Sequence, residues 1–361
     1  MGIRNYLIPT MPRLAHFIPV AAVTVLIGLY GCGGGGDPSA EVPPVPPAPV
    51  SPSPPAPVSP APPTPASVER DVLPQSTDPG ITQALQAHVA INPSPSVAAT
   101  AKLVVFLPGT QATPDGYRLI LRDAAARGYH AVGINYVNGV AVGQLCATEP
   151  DRDCHGKVRQ EVITGQDTSA LVSVGPVDSI VNRLAKLLIA LNQQYPSEGW
   201  DQYLNNQLLP DWSKINLAGH SQGGGHAGLM ARMYNLNRAA YFSSPADWRN
   251  FANQPATWMS MPSITPVSRQ YGFTHLSDPL VPYSNIVPIW QALQLDTLGP
   301  VASVDGSASP WGGSHQLTTN ATPGSNLPTA AHGATVFDVS VPRSADGSPS
   351  FRSVWSAMLY P

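Results

Sequence analysis

"KINLAGHSQGGGHAGLMA", residues 214 to 231, decides the fold. Its first half, Ile215-Asn216-Leu217-Ala218, is a short apolar run of the kind a strand buried on both faces needs. From Gly223 onward the residues change to small and apolar ones at helical spacing. Ser221 stands at the turn between them, with Gly219 and Gly223 two residues to either side. A sharp strand-to-helix turn strains the backbone of its central residue. Side chains at the flanking positions would collide with strand and helix, and glycine removes that clash. The hydroxyl then stands at a helix N-terminus, where the dipole and free N–H groups favour a developing negative charge. Ser221 is therefore a candidate nucleophile rather than a turn residue.

The same alternation extends in both directions. "KLVVFLPGT" (102–110) is a β-branched apolar run stopped by Pro-Gly and predicts another strand buried on both faces. "TPDGYRLILRDAAARGY" predicts a helix capped by Thr113, with Pro114 in its first turn and Gly128 ending it. "HAVGINY" (130–136) predicts a strand. Val177, Ile180, Leu184, Leu187, Leu188 and Leu191 line one face of the helix after it. "RAAYFSSP" predicts one more strand. Alternating strands and helices predict an α/β fold with a mostly parallel central sheet flanked by helices. Ligands bind such sheets at the carboxyl ends of the strands.

The first 67 of the 361 residues read differently. Arg4 and Arg13 precede the apolar run Phe17–Gly31, 15 residues long. That is short of the roughly 20 a spanning helix needs and suits a secretory signal over residues 1–31. Leu29-Tyr30-Gly31-Cys32 resembles the lipobox of bacterial lipoproteins. The resemblance implies export, lipidation of Cys32 and attachment to the cell envelope; an uncleaved signal anchor is the alternative. Residues 32–67 are rich in glycine and proline, with "PPAPVSP" occurring twice. At about 3.1 Å per residue, a polyproline-type linker of that kind holds a domain well away from its anchor. The domain itself is expected over 68–361. The 19 basic and 22 acidic side chains leave a net charge of −3. No basic face marks a nucleic-acid partner. Cys146 and Cys154 enclose a short polar loop, and in an oxidising compartment a disulfide is favoured over zinc, since His155 alone adjoins the pair.

Gly219-His220-Ser221-Gln222-Gly223, placed between strand and helix, resembles the nucleophile elbow of the α/β-hydrolase superfamily, in particular its lipase- and esterase-like members. The resemblance implies a Ser–acid–His triad in that chain order, an oxyanion hole and no cofactor. One oxyanion donor would be the amide of Gln222; the other would come from the turn after "VVFLPGT", at Thr110 or Gln111. Asp278, in "YGFTHLSDPLVP", resembles the family's acid loop, and Asp247 in "SSPADW" is its rival. For the base, His315 follows a strand and a glycine-rich loop. It resembles the "SH" segment of polyester hydrolases and platelet-activating-factor acetylhydrolases. His332, in "AAHGATVFDV", is the alternative, ahead of what reads as another strand. His220, His226 and His275 are expected to pack or shape the pocket, and no metal is expected. Trp258, Trp290 and Trp311 fall in predicted loops near the same edge.

Two classes of function follow. One is a serine hydrolase cleaving carboxylic esters of small-molecule, lipid or polyester substrates through an acyl-enzyme. The other is a non-catalytic binding lipoprotein displayed on an inactive hydrolase fold.

Overall fold

The structure, a computed structural model, describes residues 66–360. The signal segment, Cys32 and nearly all of the proline-rich linker lie outside the described residues.

Nine strands form one sheet: β1 (Val68–Val72), β2 (His88–Asn92), β3 (Leu103–Leu107), β4 (His130–Gly133), β5 (Ile215–His220), β6 (Arg238–Phe242), β7 (Gln270–His275), β8 (Ala302–Ser303) and β9 (Gln316–Thr319). Their order across the sheet is β1-β2-β4-β3-β5-β6-β7-β9-β8. β1 and β2 run antiparallel, and every pairing from β4 to β8 is parallel. The α/β class with a mostly parallel sheet is thus what the chain adopts. β5 sits at the centre, pairing with β3 on one side and β6 on the other.

The strand β3 explains why the sheet is covered twice. All five of its residues have no solvent exposure. Leu103, Val105 and Leu107 point into one hydrophobic cluster, Val104 and Phe106 into the other. The first cluster packs under α2 (Cys154–Thr164), α3 (Ile180–Gln194), α4 (Gln222–Met233) and α5 (Tyr283–Ala292); the second packs under α1 (Arg118–Ala125) and α6 (Arg352–Leu359). Each large side chain so buried contributes roughly 1.5–3 kcal/mol.

Three local expectations change. Thr113 caps nothing: a 3₁₀ turn, Pro114–Tyr117, comes first, and α1 begins at Arg118. The carboxylate of Asp338, brought from the far end of the chain, accepts the free amide of Leu119 at 3.2 Å instead. Val177 lies outside α3 and is exposed, because Ser179 caps that helix by accepting from the amide of Asn182. The expected strand after His332 is a turn, whereas the unexpected β9 follows His315 directly.

Candidate active site

The turn between β5 and α4 places Ser221 at φ 54°, ψ −117°, a region non-glycine residues seldom enter. Strain of this kind persists only where neighbours fix it. The Ser221 amide donates to the carbonyl of Phe242 on β6, at 2.9 Å. A Cβ on Gly219 would overlap the backbone of Gly223, and one on Gly223 would overlap the carbonyl of Leu107, so both positions require glycine. Ser221 opens on a cleft of about 590 Å³, with Gly109, Thr110, Gln222 and His332 in its wall.

Asp278 follows the carboxyl end of β7. Its Oδ1 accepts the amides of Leu280 at 2.8 Å and Val281 at 3.0 Å. Its Oδ2 accepts from Nδ1 of His332 at 2.8 Å. A carboxylate accepts only, so Nδ1 of His332 carries a proton, and in the neutral ring the lone pair is on Nε2. The backbone carbonyl of His332 is held by two donors, Ser243 Oγ at 2.7 Å and His220 Nε2 at 2.9 Å. His220 therefore bears its proton on Nε2, and its Nδ1 accepts from the Tyr117 hydroxyl at 2.9 Å. That hydroxyl in turn accepts the amide of Gly109 at 3.1 Å. A chain of hydrogen bonds thus links the turn after β3, the elbow and the loop of His332. Burial drives the His220 pKa down to about 3, so the ring stays neutral.

His315 occupies the other end of the sheet. Its residue precedes β9, whose Gln316 pairs with Gly272, so it lies level with the start of β7. Its Nδ1 contacts the carbonyl of Gln270 at 2.7 Å and its ring stacks on Tyr271 at 3.8 Å. Asp278 lies beyond the opposite end of β7, roughly 15–20 Å away at a rise of about 3.3 Å per residue. Topology therefore brings His332 to Asp278 and keeps His315, the residue preferred from the sequence, away from it. The polar four-residue β9 intervenes and turns the glycine-rich loop toward the amino edge.

Asp247 is engaged elsewhere. It forms a two-point ion pair with Arg159, at 2.5 and 2.6 Å, and accepts from Trp258 Nε1 at 2.8 Å. Burial would raise its pKa, but the Arg159 charge and hydrogen bonds outweigh that and hold it at about 2. Arg159 also donates to the carbonyl of Gln222 at 2.8 Å, so this buried pair braces the first turn of α4 from below. On the β3 side, the Gln111 amide is taken by the carbonyl of Asn138, which leaves Thr110 as the backbone donor beside Gln222. The Thr110 hydroxyl donates to Oε1 of Gln222 at 2.8 Å.

The other singled-out residues support the frame. His226 is fully buried edge-on against Tyr136, and His275 bonds the carbonyl of Ala321 and the amide of Ser277. Trp258, Trp290 and Trp311 are all buried, and Trp290 belongs to α5 rather than to a loop; none of them lines the cleft. Cys146 and Cys154 form a disulfide with Cα atoms 5.8 Å apart, tying the cleft wall at Ala141–Gln144 to the start of α2. The Tyr117–His220 link, Ser243 and Arg159 carry no sequence signal for their roles, since each acts through a partner distant in the chain.

No known protein-family model matches the chain, and no curated protein matches it in sequence.

Proposed function

We propose that the chain is a serine hydrolase of the α/β-hydrolase type, cleaving carboxylic esters through an acyl-enzyme, with Ser221, His332 and Asp278 as its triad. The observation that carries this reading is the hydrogen bond from His332 to Asp278 at 2.8 Å, in the wall of the cleft that Ser221 opens on. The chain order of serine, acid and histidine also suits that superfamily. In this reaction Ser221 Oγ attacks the ester carbonyl carbon while Nε2 of His332 takes its proton. The Gln222 and Thr110 amides stabilise the oxyanion, each worth roughly 3–4 kcal/mol to the transition state. Collapse breaks the bond to the alkoxy oxygen, which receives the proton from His332. Water then repeats the sequence on the acyl-serine and releases the acid. Asp278 holds the imidazole in the tautomer that accepts, and stabilises the imidazolium. No cofactor takes part in this scheme. The lipobox adds export and anchorage at Cys32 to the proposal.

A fluorophosphonate probe tests it. Covalent labelling at Ser221, together with hydrolysis of p-nitrophenyl butyrate that Ser221→Ala lowers by about 10⁴-fold or more, is the expected result. An alanine variant retaining a tenth of the activity would overturn it.

A further inference from the structure

Next to the cleft, on the side of β4, lies a second cavity of about 330 Å³. It shares Gln111 and Ala112 with the cleft wall, so it opens beside the turn that carries Thr110. Its lining is chemically unusual. Gln83, Gln86, Gln111, Asn135 and Asn138 present carboxamides, Thr113 adds a hydroxyl, and no charged side chain takes part.

The backbone around the cavity is fixed by side-chain hydrogen bonds. The buried pair Arg183–Asp178, at 2.8 Å, reaches behind it. Arg183 donates to the carbonyls of Gln83 and Ala84, and Asp178 accepts the amides of Thr82 and Gln83. Asn135 Nδ2 donates to the carbonyls of Ala84 and Gln86. Asn138 Nδ2 fastens the opposite wall through the carbonyls of Gly109 and Ala112. Two non-glycine residues in the lining, Ala84 at φ 43° and Gln111 at φ 59°, are kept in the left-handed region. Burying an ion pair and straining two residues both cost stability, and such costs gather where a binding geometry must be preset.

The polar atoms left over specify the ligand. Gln86 Nε2 is a donor, Gln111 Oε1 and Asn138 Oδ1 are acceptors, and the Thr113 hydroxyl is both; none has a partner among the described residues. A charged group would find no counter-ion here. An apolar group would strand these carboxamides without water, at about 1–3 kcal/mol each. A neutral polyol, whose hydroxyls both give and accept, satisfies the set, and the volume lies in the range of small-ligand sites.

We infer that this annex binds the alcohol portion of the substrate and that the alcohol is a neutral, hydroxyl-rich one such as a sugar. The inference rests on the ester-hydrolase reading of Ser221. It gives the acyl portion the cleft, to whose wall Val142, Leu280 and Phe337 contribute apolar side chains, and the sugar the carboxamide annex.

Two measurements on the full chain test it. Specificity constants are compared for a butyryl monosaccharide and n-butyl butyrate, in wild type and in Gln86→Leu/Thr113→Val. The sugar ester is expected to be preferred, and the double variant to lower that preference about tenfold through KM, at roughly threefold per lost hydrogen bond. Gln86 is exposed and Thr113 partly so, and single variants with unchanged melting temperature guard against misfolding. Separately, methyl glucoside is titrated into wild type and variant by NMR, a readout that needs no catalysis. Saturable binding weakened in the variant supports the annex. If Ser221 labels with fluorophosphonate but neither sugar preference nor glucoside binding is found, the annex is refuted and the hydrolase reading stands. Glucoside binding without labelling would overturn the hydrolase reading, and with it the role as a leaving-group site.

Discussion

At Ser221 the strained backbone and the two glycines around it have no packing reward of their own, which is why the residue reads as functional rather than structural. The histidine pair makes the sharper test. His332→Ala should lose nearly as much rate as Ser221→Ala, about 10⁴-fold in kcat, because triad members act as a unit. His315→Ala should stay within about threefold of wild type, since that ring bonds the carbonyl of Gln270 and stacks on Tyr271 at the other edge of the sheet. An inactive His315→Ala beside an active His332→Ala would refute the assignment. His220 is a positioning residue, since it acts through the carbonyl of His332 and, by way of Tyr117, the amide of Gly109. Its neutral ring donates on one side and accepts on the other, and a glutamine can do both. His220→Gln should therefore keep most of kcat, whereas His220→Leu should lose about 10- to 100-fold in kcat with KM little changed. Equal losses in the two variants would reduce His220 to packing.

The elements that the sequence declared were those whose signal is local. β3, β4, β5, β6 and α4 lie in apolar runs with glycine or proline punctuation, and the disulfide needed only two cysteines and a compartment. β1 is half polar and Gln316–Thr319 is polar though buried, so neither carries a periodic signal, while the strand read ahead of His315 shrinks to the two residues of β8. Missing β9 is what moved the preference to His315, because one unrecognised strand inverts the edge to which the following loop belongs. The positions of Ser221 and Asp278 at the carboxyl edge were readable because each follows an evident strand. Their partners His220, Tyr117 and Arg159 were not, because their roles are set by contacts across 63 to 112 residues. At this scale the disulfide makes its own prediction. Closing a loop of eight residues' separation contributes about 2–3 kcal/mol through the unfolded chain. Cys146→Ser/Cys154→Ser should unfold in urea with a free energy lower by that amount. The variant should also show raised KM, since the wall at Ala141–Gln144 loses its tie to α2. An unchanged midpoint would mean that packing around Val142 and Val158 holds the loop unaided.

For the whole molecule, buried histidines set the response to acid. Burial is the first cause of the lowered pKa of His88, His220 and His226, and the Arg183 and Arg159 charges add to it at His88 and His226. His88 and His220 are held at about 3, and His226 lies well below its ordinary value. In the unfolded chain each takes up a proton near pH 6.5, but the folded chain leaves them neutral. The unfolded state then binds more protons, so stability is full above pH 6.5 and falls on acidification below it. Asp338 opposes this: burial raises it to about 7, so between roughly pH 4 and 7 the folded chain holds a proton that the unfolded one lacks. His130, buried and held at about 4, acts the same way, so the histidines outnumber Asp338 and acidification below pH 6.5 costs several kcal/mol per pH unit, a large share of an ordinary domain's stability. Urea unfolding at pH 7.5 and 5.5 should show it as a marked drop in midpoint. His88 lies outside the cleft, with Nδ1 accepting from the amide of Asn135. His88→Gln, which does not titrate, should flatten the slope by about 1.4 kcal/mol per pH unit while lowering stability at pH 7.5. A slope identical in wild type and His88→Gln would show that His88 takes up its proton in the folded chain, and the argument from burial would fail.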